Sequence, residues 1–230
     1  MTGKEYALVG RIDGTGFVDV TDPTNPIYVA NLPTQTIPSG WRDIKTYANH
    51  AFIVADDSLD HGMQIFDLTK LRNVTSPPVT FPATAHYDRI NSAHNIAINE
   101  ETGYAYIVGA GGGGETCGGG LHIVDIRDPV NPSFVGCFAD TSTGRNRTGY
   151  THDVQCVIYH GPDAEHQGRE ICFGSNETAL SIADVTDKQR PMAQPTPIKA
   201  GSPKTIAISS RMTNSTNSAA ADAPAPSSGT

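Results

Sequence analysis

Charge is scarce in this chain: Asp, Glu, Lys and Arg make up 17% of its 230 residues, against roughly 25% in an average soluble domain. So few charges argue against the Glu- and Lys-rich solvent faces of helical bundles and coiled coils. Long apolar runs are missing as well, and none reaches the roughly 18 residues from which a membrane-crossing helix is read. The opening Met-Thr-Gly-Lys-Glu carries no basic stretch leading into an apolar core, so no secretion signal is visible. Basic residues are outnumbered 16 to 24, for a formal charge of −8. Nucleic acid is therefore disfavoured as a partner, because phosphate binding needs a basic face. There is no Gly-x-Ser-x-Gly elbow, no His-Glu-x-x-His and no Cys-x-x-Cys, so no motif signals acyl transfer, a zinc protease or a zinc knuckle.

Turn formers are plentiful instead: 23 glycines and 16 prolines exceed the roughly 12% of an average protein. They punctuate short runs of Val, Ile, Tyr and Phe, which read as antiparallel strands joined by turns. Four stretches repeat one plan. The first has residues 5–11 (EYALVGR), 16–21 (GFVDVT) and 26–30 (PIYVA). The second has residues 51–56 (AFIVAD), 63–68 (MQIFDL) and 78–81 (PVTF). The third has residues 104–109 (YAYIVG), 121–126 (LHIVDI) and 133–138 (SFVGCF), and the fourth has residues 170–174 (EICFG) and 180–185 (LSIADV). Their matching aspartates are Asp19, Asp67, Asp125 and Asp184, spaced 48, 58 and 59 residues apart. In residues 121–126 both alternating faces are apolar, which predicts strands covered on both sides.

A further strand precedes the second, third and fourth units, and each copy starts with a polar pair: Arg42-Asp43, His94-Asn95 and His152-Asp153, with a fainter Lys204-Thr205 after the fourth. The recurring quartet of strands predicts an all-β protein, a β-propeller of about four blades, either a small ring or part of a larger one. Blades are expected at residues 41–88, 94–144 and 152–198, with a three-stranded partial blade at 5–36. Residues 205–209 are a candidate closing strand, and the Ser-, Thr-, Ala- and Pro-rich residues 200–230 are expected to form a disordered tail.

The run LHIVDIRDPVNP resembles the LVIVD-repeat signature, and the wider stretch from Ser92 to Asp187 resembles bacterial surface proteins of the choice-of-anchor B family. The resemblance implies an extracellular or surface-attached propeller, here a piece of a longer one. In such a secreted setting the even count of cysteines, Cys117, Cys137, Cys156 and Cys172, implies disulfides, with three connectivities possible. Cys156 and Cys172 fall on neighbouring strands and are placed to meet across a hairpin. Four buried thiols are the alternative.

Candidate chemistry lies at the innermost strands, where equivalent residues of successive blades converge. Arg42, His94 and His152, with Lys204, would form one layer, and Asp43, Asn95 and Asp153 the next. They are candidate ligand-binding residues, or caps that satisfy neighbouring backbone groups. His94, His152 and Asp153 are also candidate ligands for a divalent cation such as zinc, and the loop carboxylates Asp56, Asp57 and Asp60 for calcium. The glycines at 111–114 and 118–120 lack the Lys-Ser/Thr of a phosphate loop and read as a flexible connection. The expected function is a binding or scaffolding module for a protein or glycan ligand. The alternative is a metal-assisted hydrolase or lyase using the His/Asp cluster at the channel mouth.

Overall fold

A computed structural model describes residues 3–194. Its strands are β1 (Tyr6–Arg11), β2 (Gly14–Asp19), β3 (Ile27–Pro33), β4 (Arg42–Tyr47), β5 (His50–Ala55), β6 (Met63–Asp67), β7 (Val79–Thr80), β8 (Ala85–Tyr87) and β9 (Ile90–Ser92). There follow β10 (Asn95–Asn99), β11 (Tyr104–Val108), β12 (Gly111–Gly114), β13 (Leu121–Asp125), β14 (Ser133–Phe138), β15 (Asp153–Ile158), β16 (Glu170–Ser175), β17 (Leu180–Asp184) and β18 (Met192–Ala193). They form four four-stranded sheets, in the orders β1-β2-β3-β7, β4-β5-β6-β8, β10-β11-β13-β14 and β15-β16-β17-β18. This is the all-β propeller architecture, with β1, β4, β10 and β15 side by side along the inner edges of successive blades.

Period-two alternation builds the core. Ala51 and Ile53 of β5 join Phe17, Ala30 and Leu32 in a cluster between the first and second blades. Phe52 and Val54, one residue out of phase, face the other way and meet Ile96, Ile107 and Val124 between the second and third. Tyr106, Val108 and Ile123 then turn toward Val154, Cys156, Cys172 and Ala183 of the fourth. Each interior blade is thus apolar on both faces, as the alternation in residues 121–126 predicts.

The four spaced aspartates do one job. In each copy the carboxylate Oδ1 accepts the backbone N–H two residues on: Thr21 at 3.0 Å, Thr69 at 2.9 Å, Arg127 at 3.0 Å and Thr186 at 2.9 Å. These Asx turns end the strand and start the next connection. Bonds from Thr21 hold the Asp19 carboxyl down near 2. At Asp125 the Arg127 bonds lower it. At Asp67 and Asp184 burial pushes upward, and the Thr69 and Thr186 bonds outweigh it.

Three sequence expectations change. Residues 78–81, read as the last strand of the second unit, supply β7 to the first blade, pairing in parallel with β3 (Ala30↔Val79). The second blade is completed by β8 instead. Apolar burial decides this: Phe81 stacks on Phe66 (5.5 Å between rings), which stacks on Phe17 (4.7 Å), so the segment closes the cluster between the first two blades. Second, the first blade, expected to hold three strands, has four, because β7 adds at its outer edge while β1 takes the inner place. Third, the glycines at 111–114, read as a flexible connection, form a strand that pairs with β9 in a two-stranded ribbon. The candidate closing strand at 205–209, Lys204 and the tail at 200–230 lie outside the described residues.

A buried ion pair of the fourth blade is bonded to the third. Glu170, 2% exposed at its side chain, takes bonds from Lys188 Nζ (2.7 Å), Asn99 Nδ2 (2.7 Å), Tyr106 Oη (2.6 Å) and Thr102 Oγ1 (3.0 Å). Burial first, and then the Glu170 charge, raise the Tyr106 phenol, which stays a donor. Two disulfides are formed: Cys156–Cys172 across β15 and β16, as placed from sequence, and Cys117–Cys137 within the third blade.

The shared role of the aspartates is open to direct measurement. Asp67→Ala should lower the unfolding free energy by about 1–3 kcal/mol, since the lost bond is made to a charged group. Asp67→Asn, which keeps the acceptor oxygen, should recover part of it. Urea denaturation measures both, and equal stability of Asp67→Ala and the parent would contradict the assignment.

Candidate functional site

Because β4, β10 and β15 run side by side, the polar pairs at their entrances become neighbours. The second residue of each pair plays the same local part. Asp43 Oδ1 accepts Ile44 N (2.9 Å), Asn95 Oδ1 accepts Ile96 N (2.9 Å) and Asp153 Oδ1 accepts Val154 N (2.7 Å). Asp43 also reaches across to Ile96 N (3.0 Å) and pairs with Lys45 (2.6 Å), tying β4 to β10. These three side chains are engaged with backbone, the role of strand caps.

The first residues diverge. Arg42 turns toward the first blade, donating to Arg11 O (2.8 Å), Thr34 Oγ1 (2.5 Å) and His61 Nε2 (3.0 Å). It therefore does not share a layer with the histidines. His61 is fully buried, its Nδ1 donating to Gly62 O (3.0 Å). Burial, opposed by the Gly62 bond, brings its pKa to about 4 from an ordinary 6.5.

His94 and His152 do come together, with ring centroids 4.2 Å apart and planes tilted by 58°. His94 Nδ1 lies 2.7 Å from Asp56 Oδ2. Asp56 is held in turn by its own Oδ1, which accepts from Asp57 N (2.8 Å) and Ser92 Oγ (3.2 Å), and by its backbone N–H on Trp41 O (3.0 Å). Gly109 forms the floor: it sits at φ +62°, and a Cβ there would lie 2.6 Å from His94 Cβ and 3.0 Å from Tyr150 Oη. Burial and then the Asp56 carboxylate raise the Tyr150 phenol. The result is a shelf of one carboxylate, two imidazoles and a phenol, with the His94 and Asp56 side chains 20% and 29% exposed.

This grouping was half legible. Asp56 stands out in sequence only as a loop carboxylate beside Asp57 and Asp60, and it alone of the three turns to His94; the other two are exposed. Tyr150 carries no repeat signal, since the positions two before His94 and Arg42 hold Ser92 and Gly40. His94, His152 and Asp153 do not gather as a metal-binding trio, and neither do Asp56, Asp57 and Asp60. Among the described residues the cluster of ligand atoms within 4.8 Å of one another is Glu115, Cys117 and Cys137. Ser92 Oγ donates to the Asp56 carboxylate at 3.2 Å. The arrangement suits hydrogen bonding to a polar ligand.

The stability of this region should depend on pH in a stated direction. An unfolded chain protonates His61 below about pH 6.5, while the folded ring resists down to about 4, and buried His122 behaves alike. Stability is therefore complete above the unfolded value and falls as pH drops through this window. At 1.36 kcal/mol per unit, each ring removes about 2 kcal/mol by pH 5. Urea midpoints at pH 7 and pH 5 measure the loss, and His61→Gln should remove about half of it. Equal midpoints at the two pH values would contradict the buried neutral assignment.

Compared with known proteins, a family model described as the LVIVD repeat matches residues 91–140. This stretch covers β9 to β14 and contains His94 and Asn95. No curated protein matches the chain. Among solved structures it is similar to a protein from Lactobacillus plantarum, at 11% identity and a TM-score of 0.52, covering 83% of this chain and 52% of that one. It is also similar to the extracellular domain of a B. thetaiotaomicron protein described as a one component system, at 15% identity and a TM-score of 0.49, covering 83% of this chain and 23% of that one. The chain thus spans about half or less of the solved chains it matches. No helix among the described residues is long and apolar enough to cross a membrane.

Proposed function

We propose that this chain belongs to an extracellular or cell-surface β-propeller of the choice-of-anchor B kind, and that it binds a glycan through the shelf formed by Asp56, His94 and His152. The observation that carries the reading is the His94–His152 contact at 4.2 Å with Asp56 on His94 Nδ1. It gathers donors and acceptors from three separate blade segments at a partly exposed place, where no backbone group consumes them all. Sugar hydroxyls, each able to donate and accept, complement such a set. Trp41, whose carbonyl holds the Asp56 amide, is 58% exposed beside the same loop, and an indole face suits the C–H face of a sugar ring. Two disulfides favour an oxidising compartment. The rigid sheets beneath keep the presenting loops in place.

The test is a glycan array probed with the parent chain and with His94→Ala/His152→Ala. Losing two polar contacts at about 0.7–1.4 kcal/mol each should weaken binding about 10- to 100-fold, with an unchanged melting curve. Equal binding by the variant, or no glycan bound by the parent, would count against the proposal. A protein ligand bound through the same residues would replace the glycan in it.

A further inference from the structure

The second polar cluster of the molecule lies in the third blade, away from the shelf. His122 of β13 stands directly opposite Cys137 of β14 in the sheet register, so their side chains rise on one face. Cys117, from the short turn before β13, bonds to Cys137. Its sulfur lies 3.6 Å from His122 Nδ1, and Cys137 Sγ lies 3.6 Å from Glu115 Oε1. The ligand atoms of Glu115, Cys117 and Cys137 all fall within 4.8 Å of one another. Two sulfurs, an imidazole nitrogen and a carboxylate oxygen are the donor set of a tetrahedral zinc-class site.

We propose that the Cys117–Cys137 disulfide covers a latent metal site, and that its two-electron reduction lets Cys117, Cys137, His122 and Glu115 hold one zinc-class divalent cation. A dithiol or phosphine reductant supplies two electrons, and the S–S bond opens to two thiols as two protons are taken up. A dithiol leaves as its disulfide, its two thiol protons passing to the cysteines, and a phosphine leaves as its oxide, with the oxygen and the two protons taken from water. Metal binding then releases the two thiol protons, because the thiolate is the ligand. Sulfurs on one tetrahedral ion with bonds near 2.3 Å stand about 3.8 Å apart, so one of them must move. Cys137 and His122 are fixed on neighbouring strands. Cys117 sits in a three-residue turn whose next residue, Gly118, is at φ +65° in the left-handed region, and this turn is the element free to open.

The surroundings suit the change. His122 Nδ1 now donates to Glu115 O (2.7 Å) and Nε2 faces Tyr87 Oη (2.8 Å). With metal on Nδ1, the ring proton sits on Nε2 and is donated to the tyrosine oxygen, the usual outer-shell support of a metal-bound imidazole. Glu115 is exposed and marks the way in from solvent, while Cys117 and His122 are buried.

The experiment uses the full 230-residue chain carrying Cys156→Ala/Cys172→Ala, so that only one pair of thiols can form. It is titrated with Co²⁺ before and after phosphine reduction and desalting without air. The thiolate-to-cobalt charge-transfer band is read, with far-ultraviolet circular dichroism alongside. Expected are no band in the oxidised protein and one equivalent of metal after reduction. His122→Ala and Glu115→Gln should each weaken binding at least about 10-fold, in line with the loss of one metal-site contact. Absence of a band after reduction overturns the proposal. So does a band indifferent to His122→Ala and Glu115→Gln, which would mark a loose thiolate pair. If reduction unfolds the protein, Co²⁺ must restore the strand signal, and failure to do so equally overturns it.

Discussion

Every interior sheet of this protein is apolar on both faces, and the rest follows from that. A sheet with Ala51 and Ile53 on one side and Phe52 and Val54 on the other cannot leave either side in water. It must be sandwiched, and its neighbours have the same need. Stacking one four-stranded unit on the next is the arrangement that satisfies all of them, with three apolar layers between four blades. Stability is therefore shared between neighbours, as in other repeat architectures. No blade owns a core.

Polar groups in the seams decide which stacking is accepted. Glu170 takes donors from the third blade and from Lys188 of its own blade; Arg42 joins the second blade to the first; Tyr87 of the second meets His122 of the third. A slip of one residue in any seam would leave such a group buried without its partner, which costs several times what a made hydrogen bond contributes. The greasy layers hold the blades together, and these contacts choose the register. The same seams bring the rings of His94 and His152 into contact, so the candidate ligand shelf is a by-product of blade order.

The blade grammar was legible because it is local. Alternating apolar residues set the strands, and aspartate at one position per repeat set the Asx turn, after the third strand at Asp67, Asp125 and Asp184 and after the second at Asp19. The polar pairs likewise announced the inner strands. What sequence could not give was anything fixed by contacts distant in the chain. Residues 78–81 have the composition of a strand, but which blade they join depends on Phe81 finding Phe66 and Phe17. Arg42 looked equivalent to His94 and His152, yet its longer side chain found acceptors in the first blade. Asp56 meets His94, and Tyr150 comes beside Gly109, from loops whose positions no repeat encodes, and the match of His122 to Cys137 depends on a bulge between Ile123 and Val124 that shifts the register.

The parallel strand β7 has a consequence for how the protein is made. The first blade receives its outermost strand from residues 79 and 80, which the ribosome delivers only after β4, β5 and β6 of the second. At roughly 5–20 residues per second, the interval between finishing β3 and supplying β7 amounts to seconds. During that time the first blade has an uncovered edge, and Phe66 lacks its ring partner Phe81. The first blade is therefore complete only once three strands of the second have been made.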